Sequence, residues 1–246
     1  MKYRLYGQPQ KLLLHGGPGA IGSVSGFAAD LGDCIEVLNY GQTIEDQLKE
    51  IHDIVEEFKI ESPTLIGHSW GAWLAFLYAC KYETSRIILI GCGAFKTSYL
   101  EQMDQSRQSK LTKEEEQKAA YFFEHMTSIN DDDLLEFGRL MSKMDAYELV
   151  DYKDKMITFD AKGHQMLMDE LRPLRTSGKL LEMGRSISAE IVIIHGKEDP
   201  HPYKGVTEPF DEIGIKYDLI LLEECGHSPW IEKYAKDMFY EYIKSI

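Results

Sequence analysis

The 246-residue sequence is short of cysteine, short of positive charge, and without any long apolar run. Its four cysteines, Cys34, Cys80, Cys92 and Cys225, stand far apart with no C-x-x-C pair, which excludes a disulfide framework and a cysteine zinc site. Cys225 precedes His227 by two residues. Side chains so close on a loop seldom converge on one reacting atom, so all four read as reduced structural thiols. Lys and Arg number 27 against 41 Asp and Glu, a net charge of −14, which repels phosphate backbones and anionic headgroups and argues against nucleic acid or membrane partners. The longest apolar stretch, Ala72 to Cys80, is half of the roughly 18–20 residues a membrane helix needs. No apolar segment follows Met1-Lys2-Tyr3-Arg4, so no secretory signal is visible and the cytoplasm is the expected location. With 43% hydrophobic and 11% aromatic residues, the chain has ample material for a folded core.

Short apolar runs alternate with helical patterns, the mark of a mostly parallel sheet with helices on both faces. The strand candidates are Lys11–Leu14, Cys34–Leu38, Thr64–Ile66, Arg86–Ile90, Glu190–Ile194 and Tyr217–Leu222. Most are apolar throughout, as in strands covered on both faces. Leu48, Ile51, Ile54, Val55 and Phe58 recur at helical spacing, and Trp70–Cys80 is apolar on every side, which predicts a helix deep in the core.

After Gly93 the pattern changes. A capping box, Thr112-Lys113-Glu114-Glu115, precedes a stripe of Ala119, Phe122, Phe123 and Met126. A second helix is expected from near Asn130, directing Leu134, Phe137, Leu140, Met141 and Met144 inward, with Asp131-Asp132-Asp133 as its acidic start. A third runs through Met166–Leu171 and is interrupted by Pro173 and Gly178. No strand is expected between about 96 and 186. This segment reads as a helical lid inserted into a core formed by residues 1–95 and 187–246. Met103, Met126, Met141, Met144, Met156, Met166, Met168 and Met183 concentrate there, as filler of a thin helical layer.

Gly67-His68-Ser69-Trp70-Gly71 matches G-x-S-x-G between an apolar strand and an apolar helix. A sharp strand-to-helix turn strains the central residue and leaves its hydroxyl exposed, and the two glycines let strand and helix approach. A serine needs a base, and the base an orienting acid; with this elbow the chain order is Ser, acid, His. Ile191–Ile194 leads into His195-Gly196-Lys197-Glu198-Asp199, and the last strand into Cys225-Gly226-His227. Three strand ends thus deliver Ser69, Asp199 and His227 to the edge where open parallel sheets bind ligands. Glu198 is the alternative acid. His15-Gly16-Gly17-Pro18-Gly19 follows the first strong strand. Pro18 has no N–H, so Gly17, then Gly16, is the expected oxyanion donor, paired with the N–H of Trp70. His15, His68 and His195 read as packing residues at strand ends, not a metal set. Trp70 and Trp73 read as core, with Trp70 a possible wall of the site.

With these motifs the chain resembles the α/β-hydrolase superfamily over nearly its whole length. H-G-G-P-G with G-x-S-W-G resembles the proline iminopeptidase branch, whose elbow usually reads G-G-S-W-G where this chain has His68. That branch also tends to carry D-x-R-G where Leu38-Asn39-Tyr40-Gly41-Gln42 stands here, and a Trp-Glu segment with no counterpart in this lid. The resemblance implies a serine hydrolase cleaving a small acyl substrate through an acyl-enzyme, with Ser69, Asp199 and His227 catalytic and with neither metal nor organic cofactor. An aminopeptidase, a carbon–carbon bond hydrolase and a non-catalytic small-molecule receptor are the alternatives. Relatives with a carboxylate nucleophile, dehalogenases and epoxide hydrolases, are disfavoured by Ser69.

Overall fold

The computed structural model describes residues 1–128, 131–150 and 158–246, without the side chains at 131, 132, 134 and 135. The side chain of Leu134, and the whole of Met156, both expected in the helical layer, therefore lie outside what is described, as does Asn130.

Seven strands form one sheet: β1 (Tyr3–Tyr6), β2 (Lys11–Leu14), β4 (Cys34–Val37), β5 (Thr64–His68), β6 (Arg86–Ile90), β8 (Glu190–Gly196) and β9 (Asp218–Leu222). Their order is β1-β4-β2-β5-β6-β8-β9, parallel throughout except for the antiparallel edge strand β1. This is the α/β-hydrolase fold. All six expected strands are present within two residues. The sequence reading missed β1, whose Tyr-Arg-Leu-Tyr lacks an apolar run because Arg4 and Tyr6 hydrogen-bond to buried Glu36 on its neighbour.

The apolar strands feed two cores, one on each face. On β2, Leu12 and Leu14 enter one while Leu13 enters the other, following the two-residue period of a strand. One face is covered by α2 (Ile44–Glu57) and α3 (Trp70–Ala79), with α9 (Lys204–Ile213). The other is covered by α1 (Ser25–Leu31) and α10 (Lys236–Ser245), where Phe27 stacks on Trp230 at 5.2 Å. Every residue of α3 is buried, as its all-round apolarity requires.

Between β6 and β8 lie α4 (Leu100–Ser109), α5 (Lys113–His125), α6 (Asp131–Asp145), α7 (Ala161–Thr176) and α8 (Lys179–Met183). The Thr112 capping box forms in full, and Ala119, Phe122, Phe137, Leu140 and Met144 make a small separate core. Two expectations need correction here. A two-residue strand, β7 (Thr158–Phe159), does occur in this segment, paired antiparallel with β3 (Ala20–Ile21) just after the H-G-G-P-G turn. Such a strand is too short to show periodicity. Pro173 does not interrupt α7, which continues to Thr176 near its end, where the missing N–H removes only one hydrogen bond. Gly178, with φ +77°, does separate α7 from α8.

Candidate active site

Ser69 sits between β5 and α3 with φ 55° and ψ −111°, a conformation that favours glycine and is strained for serine. It persists because its surroundings over-determine it: its N–H donates to the Ile90 carbonyl at 2.9 Å, and Ala72 N–H donates to its carbonyl at 3.1 Å. Gly67 and Gly71 are obligatory. A Cβ on Gly67 would stand 2.1 Å from the Gly71 carbonyl oxygen, and one on Gly71 would stand 2.4 Å from that of Leu14.

Asp199 lies buried on the loop after β8 and His227 on the loop after β9. His227 Nδ1 and Asp199 Oδ2 are 2.8 Å apart. The other carboxylate oxygen accepts from the backbone N–H of His201 at 2.9 Å and faces His201 Nδ1 at 3.2 Å. His195 Nε2 is 3.3 Å from Oδ2 and 2.7 Å from the His201 carbonyl. Burial by itself would raise the carboxyl, but His227, His195 and His201 outweigh it and hold Asp199 well below the usual carboxylate range. Burial likewise disfavours the His227 imidazolium, and the charge and hydrogen bond of Asp199 overcome it, leaving His227 above the ordinary value. Glu198, the alternative acid, is engaged elsewhere: its Oε2 accepts the Cys225 N–H at 2.9 Å.

The sequence reading missed His201, whose ring stacks on His227 at 4.6 Å. The signal was its place two residues after Asp199. Asp199, His201 and His227 offer ligand atoms within 4.8 Å of one another, a spacing that could hold a metal ion. Both Nδ1 atoms already face the carboxylate, and those hydrogen bonds account for the cluster. His68 packs at 4.7 Å from His227 and edge-on to Trp230, with its Nε2 3.1 Å from the His227 carbonyl. Desolvation and the neighbouring His227 push its pKa well down, which disfavours its charged form. His15 is buried with Nδ1 2.9 Å from the Gly16 carbonyl. All three strand-end histidines pack as expected, although His195 does approach a carboxylate that spacing alone did not reveal. Gly91, at φ +53°, makes room for His227: a Cβ there would lie 2.8 Å from its carbonyl oxygen.

Ser69, His227, His68, Gly16, Gly17 and Trp70 all line one cavity of about 600 Å³, whose far wall comes from α4, α6 and α7. Trp70 is anchored by its Nε1, which donates to Gln47 Oε1 at 2.8 Å, and Trp73 also reaches the cavity. On that wall Arg107 and Asp145 pair in a two-pronged bridge of 2.7 and 3.0 Å. Below them, Glu232 accepts N–H groups from Tyr147, Glu148 and Gly226, and the His227 N–H donates to the Asp145 carbonyl at 2.9 Å. The end of α6 is thereby tied to the loop that carries His227.

Comparison with known proteins identifies this architecture. Residues 12–238 match the model of the alpha/beta hydrolase family. The chain belongs to that family. Among curated relatives, a proline iminopeptidase of Lactobacillus helveticus is 24% identical over 267 aligned positions, covering 94% of this chain and 89% of the relative. One from Lactobacillus crispatus is 25% identical, with the same coverage. Among solved structures, VinJ superposes with a TM-score of 0.71 at 16% identity, covering 99% of this chain and 93% of VinJ. A proline iminopeptidase of Mycobacterium smegmatis superposes at 0.65 and 16% identity, over 99% of this chain and 92% of that one. Among the described residues, no helix is long and apolar enough to cross a membrane.

Proposed function

We propose that this alpha/beta hydrolase is a serine hydrolase that cleaves a small acyl ester through an acyl-enzyme. The observation that carries the reading is the strained Ser69 elbow lining the same cavity as a buried His227 hydrogen-bonded to Asp199 at 2.8 Å. Ser69 Oγ attacks the substrate carbonyl carbon while His227 Nε2 takes its proton. Asp199 fixes the tautomer with the proton on Nδ1 and stabilises the imidazolium. The N–H groups of Gly17 and Trp70 receive the developing oxyanion; the second belongs to the first residue of α3, where the helix dipole adds positive potential. His227 then protonates the leaving alkoxide and activates the water that releases the acyl group. No step calls for a metal or organic cofactor. Residues 96–186 act as the lid that closes the cavity and shapes it for the substrate.

The named relatives are proline iminopeptidases, and an aminopeptidase is the second reading. An aminopeptidase must hold a substrate ammonium against carboxylates out of bulk water. Of the described acids lining the cavity besides the triad, Asp145 is committed to Arg107 and Glu232 to three backbone N–H groups, and Asp104 is exposed. Phe123, Met126, Phe137, Met141 and Leu149 give the wall an apolar character suited to an acyl chain.

The test compares kcat/KM for p-nitrophenyl butyrate and proline p-nitroanilide, with the proline p-nitrophenyl ester controlling for leaving-group reactivity. Faster cleavage of the butyrate is expected. If the proline ester beats it and the anilide is also turned over well, the aminopeptidase reading replaces this one. Labelling of Ser69 by a fluorophosphonate separates either enzyme from a receptor built on the same fold, which would not react.

A further inference from the structure

The cavity wall holds two arginines, Arg107 and Arg175, in contrasting states. Arg107 is neutralised by Asp145. Arg175, in the last turn of α7, is half-buried and pairs with no carboxylate among the described residues. Its side chain makes no hydrogen bond among them either, and its Nε is buried without an acceptor. Burial lowers its pKa, and neighbouring Arg172 adds to the effect. A guanidinium stays charged in proteins and presents five N–H donors, so burying its Nε without an acceptor is costly, while its two Nη groups remain open to a ligand. The guanidinium carbon lies 5.6 Å from the centroid of the Trp73 ring, on the helix that begins beside Ser69. A cation–π contact holds the group in place while leaving its N–H donors free. The dipole at the end of α7 favours a cation there, but a solvent-facing side chain would satisfy it equally. It does not explain a donor turned away from water.

We infer that the substrate's acyl portion carries a carboxylate, and that Arg175 receives it on the cavity wall. The inference rests on the hydrolase reading of this cavity and specifies its substrate class. A planar guanidinium fork matches a carboxylate in two parallel hydrogen bonds. Among the described residues of the wall, Arg175 is the cation with no carboxylate partner, which matches a single negative charge, and the −14 net charge of the chain works against a more highly charged phosphate. The same cation repels a substrate ammonium, in line with ester over aminopeptidase chemistry.

The test measures binding without turnover. In a Ser69→Ala background, titration calorimetry compares monomethyl glutarate with methyl valerate, ligands of similar length that differ in charge. The charged ligand is expected to bind at least about tenfold more tightly, as for a charge-assisted hydrogen bond. Arg175→Gln should abolish that difference and Arg175→Lys should keep part of it. Equal affinities, no binding of the glutarate, or a preference that survives Arg175→Gln would overturn the inference. An arginine with only a structural role would instead lower Tm and weaken both ligands alike. Failure of the hydrolase reading shows separately, as absence of fluorophosphonate labelling and ester turnover in the native chain.

Discussion

At the scale of single residues, the buried Asp199 carboxylate is the centre of the candidate site, because three imidazoles converge on it. Asp199→Asn should reduce kcat by about 10³–10⁴-fold, since the wrong His227 tautomer is then favoured. Glu198→Gln retains an acceptor oxygen for the Cys225 N–H and should have little effect; the reverse ranking in steady-state assays would move the acid to Glu198. The pH profile carries a second signature. His227 must be neutral to act as base, and Asp199 raises its pKa, so kcat/KM should fall on the acid side with a midpoint above the ordinary 6.5. His68 and His201 are shifted down by burial, so neither supplies that limb. A profile flat from pH 5 to 8 would rule out histidine as the base. Ser69→Ala should abolish turnover with folding still cooperative, and Ser69→Gly should melt higher than Ser69→Ala, because only glycine relieves the positive φ, a strain of about 1–3 kcal/mol.

At the scale of elements, two devices hold the site together. The first is the close approach of β5, α3 and the end of β2. Gly67→Ala forces a methyl against the Gly71 carbonyl, backbone against backbone, and should cost roughly 3 kcal/mol or prevent folding. A denaturation midpoint within error of the native chain would contradict this packing. The second device is Glu232, which joins the segment after α6 to the His227 loop through Tyr147, Glu148 and Gly226. Glu232→Ala leaves three N–H groups without their acceptor, at about 1–3 kcal/mol for each one that water cannot reach. It should lower both Tm and kcat, since the loop it releases carries the proposed base. Unchanged kcat with a lowered Tm would make Glu232 purely structural.

For the whole molecule, buried histidines tie stability to pH. His15, His68, His164 and His201 all lie below the ordinary 6.5, chiefly through burial. The unfolded chain therefore takes up protons near that pH which the folded chain refuses, and stability falls as pH drops below about 6.5. His227 acts oppositely: with a raised pKa, its contribution is fully present below 6.5 and is lost as pH rises through the folded value. Asp199 contributes above 3.8 and loses that contribution only as pH falls through its depressed value. Burial also raises the Glu36, Glu50 and Glu232 carboxyls, which take up protons in the folded state and so, like His227, oppose this loss. The four imidazoles, titrating over the whole step from 6.5 to 5, are expected to prevail and give a lower Tm at pH 5 than at pH 7.5. The measurement belongs in about 0.5 M salt, where repulsion among exposed acids is screened. A Tm that holds or rises on acidification would show that the buried carboxyls and His227 outweigh the four imidazoles.

The local sequence determined the elements whose cause is local. Apolar strand runs, the all-round apolar α3, the Thr112 capping box and the glycine-flanked Ser69 elbow each follow from neighbours a few residues away. The chain order of Ser69, Asp199 and His227 was legible for a related reason, because each directly follows a strand of one parallel sheet. Tertiary structure decided what depends on distant partners. The β1 edge strand is joined to its neighbour through Glu36, thirty residues on, and β7 pairs with β3 across more than a hundred. His201 and Glu232 acquire their places only when the loops after β8 and β9 meet. Asp145 and Arg107 lie 38 residues apart, and nothing in either neighbourhood marks them as a pair. The state of Arg175 was the least legible, since its lack of a partner among the described residues depends on everything that surrounds it in the fold.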